Sequence, residues 1–104
     1  MTGVTLVERL TDLLERGNET ALLRFSLGNA LLAVDPALAA THLRRAVELD
    51  TDYSAAWKLL GRALAASGDT TAAHAAFIQG IAIAERRGDI QAAKEMKVFL
   101  KRLQ

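Results

Sequence analysis

Leu27-Gly28 precedes Leu60-Gly61 by 33 positions, and Ala30-Leu31 precedes Ala63-Leu64 by the same interval. Downstream, Ala39-x3-Leu43-x2-Ala46 is answered by Ala73-x3-Phe77-x2-Gly80, now at an interval of 34. The earlier copy has therefore lost one residue in its turn, near Asp35. Self-similarity at this period marks a chain that stacks one small supersecondary unit, each copy burying its apolar face against the next. The unit is helical, because no segment alternates apolar and polar residues for long enough to make a strand. Gly inside a helix costs about 1 kcal/mol relative to Ala. Its occurrence twice at one register argues that Gly28 and Gly61 let a paired helix approach closely, with Ala30, Ala63 and Ala73 serving the same approach. Trp57, Leu60, Leu64 and Phe77 are expected to fill the space between the helices of a pair, with Trp57 largely buried.

Stops and starts divide the chain into six helices. Thr5-Leu6-Val7-Glu8 reads as a capping box, followed by an apolar stripe of Val7, Leu10, Leu13 and Leu14 and a stop at Gly17. Asn18 is expected to cap the second helix, roughly 19–34. Asp35-Pro36 places an N-cap before a proline at the first helical position, where a missing N–H costs nothing; this third helix runs to about Leu49. Asp52 is expected to start the fourth helix, which ends at Ser67-Gly68. Asp69 and Thr70 start the fifth, which continues towards Arg87. Gly88-Asp89 is a stop and a new cap, and the last helix spans roughly 90–103. On that helix Ala92, Ala93, Met96, Phe99, Leu100 and Leu103 occupy one arc and Lys94, Lys97 and Lys101 the opposite one, as a terminal cover requires.

The run Trp57-x2-Leu60-Gly61-x2-Leu64, followed by Ala73-x3-Phe77, resembles the tetratricopeptide repeat (TPR), a helix–turn–helix unit of about 34 residues, and the chain resembles a small bacterial-type member of that family. Leu64 stands where the motif favours Tyr, and Glu85 stands where it ends in Pro. The resemblance covers roughly residues 21–87. It implies an all-α fold of stacked antiparallel helix-turn-helix pairs over residues 1–104, a single TPR-like domain. Its two repeats lie at about 21–53 and 54–87, with an N-terminal helix and a capping helix at about 89–103.

What the resemblance implies about function is a protein-interaction adaptor without catalysis or cofactor. In the family the first helix of each pair lines a concave groove that takes a peptide or a partner's helix. The register places Leu22, Phe25, Asn29, Leu32 and Ala33 there from the first repeat, and Ala55, Lys58, Arg62, Ala65 and Ala66 from the second. Family members that grip a carboxylate-ended chaperone tail use Lys, Arg and Asn in such a groove. Lys58 and Arg62, one turn apart, are the cations here, although Phe25 stands where such a clamp would use Lys and the full clamp spans three repeats. About three repeats are usually needed for stability, so the alternative expectation is a self-associating structural module, a homodimer burying the end of its stack.

Composition sets the remaining bounds. Thirteen basic and twelve acidic side chains leave a net charge of +1, so no bulk field recruits nucleic acid or a membrane. The absence of Cys excludes disulfides and thiolate metal sites. His42 and His74 fall at different repeat registers and suggest no metal site. No catalytic constellation is visible. Residues 1–8 lack a basic segment followed by an apolar run, and a cytoplasmic protein is expected. Arg87-Gly88-Asp89 spells an integrin-adhesion tripeptide but reads as a helix end, a stop and a cap.

Overall fold

The computed structural model describes residues 5–103 and contains six helices joined by short turns. They are α1 (Leu6–Glu15), α2 (Ala21–Leu31), α3 (Pro36–Leu49), α4 (Ser54–Ala66), α5 (Thr70–Arg87) and α6 (Ile90–Arg102). No strand occurs among the described residues. Each helix packs on its predecessor, as turns this short require of antiparallel neighbours. Backbones of second neighbours approach on one side alone: α4 meets both α2 and α6, whereas α3 and α5 stay apart. The stack therefore bends towards α2, α4 and α6, which line its inner face, in a body of 45 × 27 × 20 Å.

Side-chain caps start most of these helices. Asp35, Asp69 and Asp89 accept from the amides of Leu38, Ala72 and Ala92, each satisfying one of the donors a helix start leaves free. Thr5 Oγ1 accepts from the Glu8 amide and donates to the Glu8 carboxylate, both at 3.1 Å. Glu8 thus reaches the hydroxyl rather than the backbone amide of a full capping box. Gly88 ends α5 with φ 78°, a conformation strained for residues with a Cβ.

Two helix starts differ from the sequence expectation. The cap of α2 is Thr20, whose Oγ1 accepts from the Leu23 amide at 3.0 Å; Asn18 instead turns back, its Nδ2 donating to the Leu13 carbonyl at the end of α1. The same helix stops at Leu31 rather than near residue 34, because the Val34 and Asp35 amides both fold onto the Leu31 carbonyl. That tight turn delivers Asp35 to its capping position. The fourth helix starts behind Tyr53 with no side-chain cap. Asp52 is drawn away to Arg86 and Arg87 of α5.

Leu27, Ala39, Leu43, Ala46, Leu60, Ala63 and Ala73 are between 0% and 2% exposed and form the centre of the core. A Cβ at Gly28 would run into the Leu43 side chain, and one at Gly61 into the Phe77 ring. Leu43 and Phe77 hold equivalent places in the two copies, so both glycines meet the same need for close approach. A second cluster of Phe77, Ala84, Ala92, Ala93 and Met96 joins α5 to α6. Trp57 touches both clusters and is largely, though not fully, covered, as the sequence suggests. Its ring edge opens into a hollow on the outer side beside Arg44 and Gln79, while its indole N–H donates to the Thr51 carbonyl at 2.8 Å. The most enclosed aromatic is Phe77, 1% exposed. No residue of α1 is fully buried. Val7, Leu10 and Leu14 are half-covered and Leu13 is exposed, since α2 is the helix that covers α1.

Candidate binding groove

The inner face holds a hollow of about 660 Å³. Asn29, Leu32 and Ala33 reach it from α2 and the turn that follows. Arg62, Ala65 and Ala66 come from the last turns of α4, and Phe99, Arg102 and Leu103 from the end of α6. Pro36 and an edge of Phe77 complete its wall. The spacing within α4 explains its share: positions 62, 65 and 66 are three and four apart, so they sit on one face.

Of the ten residues that the sequence reading sets in a groove, Asn29, Leu32, Ala33, Arg62, Ala65 and Ala66 come together around this hollow. Leu22, Phe25, Ala55 and Lys58 are placed elsewhere, Ala55 in a separate hollow beside Asp50 and Asp89. Leu22 is 64% exposed. Phe25 stacks on Tyr53, ring centroids 4.8 Å apart at 28°, which half-buries it against the core. Lys58 donates from Nζ to Glu95 at 2.8 Å. This happens because α6 lies against α4 and sets Glu95 opposite Lys58. The bond to Lys58, and then that to Gln91, hold the Glu95 carboxyl below its ordinary pKa. Lys58 and Arg62 are therefore unlike cations: one is engaged within the chain and the other faces the hollow.

The sequence reading sets Phe99 and Leu103 on a packing arc and gives Arg102 no place in the groove. The apolar arc of α6 is fully buried only at its start, where Ala92, Ala93 and Met96 sit. Towards its end Phe99 and Leu103 are half-covered and their free edges face inward. A sequence signal was present, because Arg102 falls three positions after Phe99 and shares its face. The Phe99 ring lies 5.8 Å from that of Phe77, stacked at 10°.

Away from the groove, an ion cluster ties the start of α2 to α3. Glu19 accepts from Arg24 at 2.7 Å and from Arg45 at 3.0 Å. The Arg45 hydrogen bond, and then that of Arg24, bring the Glu19 pKa from 4.5 to about 2. Arg24 also donates to His42 Nδ1 at 3.0 Å; burial, then the Arg24 charge, hold that imidazole below its ordinary pKa. A carboxylate with a depressed folded-state pKa contributes stability above its ordinary value and loses it as pH falls. The Glu19 contribution should therefore be whole above pH 4.5 and drain away towards about pH 2. Melting temperatures across that window should fall less steeply in Glu19→Gln than in the parent protein, with the variant lower at neutral pH. Parallel curves would assign the acid sensitivity to other carboxylates, such as Asp89 and Glu95, whose pKa values are also lowered.

The Asp89 carboxylate accepts from Ser54 Oγ at 2.7 Å as well as from the Ala92 amide. The tripeptide at 87–89 is thus committed to helix packing. No described helix is long and apolar enough to cross a membrane.

The chain is 52% identical over 99 residues to a TPR repeat-containing protein of Pseudomonas aeruginosa, covering 94% of each chain. Its fold matches the solution structure of a Bordetella parapertussis protein with a TM-score of 0.83 and 42% identity, over 97% of this chain and 89% of that one. No family model matches the chain.

Proposed function

Because this chain belongs to the TPR repeat-containing proteins, we propose that it is a non-catalytic adaptor that captures a peptide or a helix of a partner protein on its inner face. The observation that carries this reading is the hollow of about 660 Å³ shared by α2, α4 and α6. Small side chains at Ala33, Ala65 and Ala66 leave room for a guest, Leu32 and Leu103 supply apolar contact, and Asn29 and Arg62 supply polar orientation. The reading sets the protein in the cytoplasm. The test is a random peptide library selected on the intact protein. Ala66 is exposed on the groove wall, so Ala66→Trp should fill the hollow while leaving thermal melting unchanged. Selected peptides should lose most of their affinity for this variant. Equal binding to both proteins would move the binding surface off the inner face.

One observation favours a second reading, a homodimer formed at the α1 end of the stack. Leu6 and Leu13 on α1 and Leu22 on α2 are 61%, 43% and 64% exposed, and apolar residues left open in this way favour association. Light scattering across concentration separates the two: a dimer abolished by Leu13→Glu supports self-association, and a monomer throughout leaves the adaptor reading alone.

A further inference from the structure

Arg62 and Arg102 come from different helices, yet both guanidinium carbons lie over the ring of Phe99, 5.3 and 5.9 Å from its centroid. Among the described residues neither has a carboxylate partner. Lys58, one turn before Arg62, does have one in Glu95. Each of the two arginines thus neighbours the same ring without a carboxylate partner among the described residues. The ring attracts both guanidinium groups, and their N–H donors are suited to an anion that accepts charge-assisted hydrogen bonds.

The same residues stand where two hollows adjoin. Arg62, Phe99 and Arg102 line the hollow of about 660 Å³ and also one of about 310 Å³ beside Lys58, Glu95 and Val98. Leu32, Ala65 and Leu103 make the larger one apolar beyond the arginines, and Val98, 50% exposed, gives the smaller an apolar wall. A guest chain thus has space on both sides of the cations. Such room suits an anion in the middle of a segment.

We propose that Arg62 and Arg102, stacked over Phe99, seat the side-chain carboxylate of an internal Asp or Glu of a bound peptide, whose neighbouring apolar side chain lodges against Leu32, Ala65 and Leu103. The proposal rests on the reading of the inner face as a peptide groove and names the chemistry of its occupant.

The probe is an array of random peptides with acetylated starts and amidated ends, so that side chains carry every carboxylate. Peptides that bind the intact protein should be enriched in Asp or Glu close to Leu, Ile or Phe. For the best of them, Glu→Gln in the peptide should weaken binding roughly tenfold or more, as expected for a lost charged hydrogen bond. The double variant Arg62→Gln plus Arg102→Gln should weaken it by a similar factor, and on that variant the peptide change should have little further effect. Both arginines are exposed, so melting should be unaltered, and added salt should weaken binding to the intact protein alone. The proposal is overturned if the peptide change has no effect. It is also overturned if a free carboxylate end binds far better than any internal acid, or if a uridine oligonucleotide displaces the peptide from these arginines. Peptides lost on Ala66→Trp but indifferent to the arginine changes would sink the acid seat and leave the groove standing. If no peptide responds to Ala66→Trp, the groove fails as well.

Discussion

Phe77→Ala should cost about 3–5 kcal/mol, the range for truncating an enclosed aromatic to Ala. For a domain of this size each kcal/mol moves Tm by about 4–8 °C, so a fall of roughly 12–40 °C is expected by calorimetry or circular dichroism. The reason lies in how completely the ring is held. It is 1% exposed, it stacks on Phe99 of α6, and it fills the space that Gly61 of α4 leaves by lacking a Cβ. No neighbour can collapse into the void without moving a helix. Trp57→Ala should cost less, because the indole is not fully enclosed and keeps one edge open. Measured side by side, the two variants rank the aromatics, and a larger loss at Trp57 would contradict the packing described.

That ranking separates what the sequence made legible from what it did not. The repeat interval, the glycines at 28 and 61 and the Asp caps at 35, 69 and 89 each impose a local geometry, and the helices follow from them. Trp57 packs where its place in the repeat sets it, although the outer side of a thin stack leaves part of the ring open. Asn18 and Asp52 were over-read as caps because a cap depends on which amide the turn presents, and each side chain found a better partner. In the groove, Asn29, Leu32 and Arg62 follow from helical register alone. The engagement of Lys58 by Glu95 and the stacking of Phe25 on Tyr53 depend on contacts between residues distant in sequence. So does the arrival of Phe99 and Arg102, which needs the position of α6 against α4.

Ending the chain at Asp89, which removes α6 but keeps the Gly88 stop and the Asp89–Ser54 hydrogen bond, should abolish cooperative melting and bring on association. The last helix buries Ala92, Ala93 and Met96 and covers Phe77, whose ring then faces water. It also contributes half-covered Phe99, Leu100 and Leu103 to the second core cluster. A fully buried apolar side chain contributes about 1.5–3 kcal/mol, so losing this cover removes several kcal/mol from a domain whose whole stability is on the order of 5–15 kcal/mol. The exposed end of α5 would then present a contiguous apolar patch of the kind that drives association. Met96 is 0% exposed and its Sδ lies close against Gly80, so Met96→Asp in the full chain should reproduce much of the loss by burying an unpaired carboxylate. Scattering and thermal melting on both proteins decide the matter. If both stay monomeric and melt as the parent does, α6 is not structural cover but a detachable arm, and Phe99 and Arg102 cannot be fixed parts of the groove.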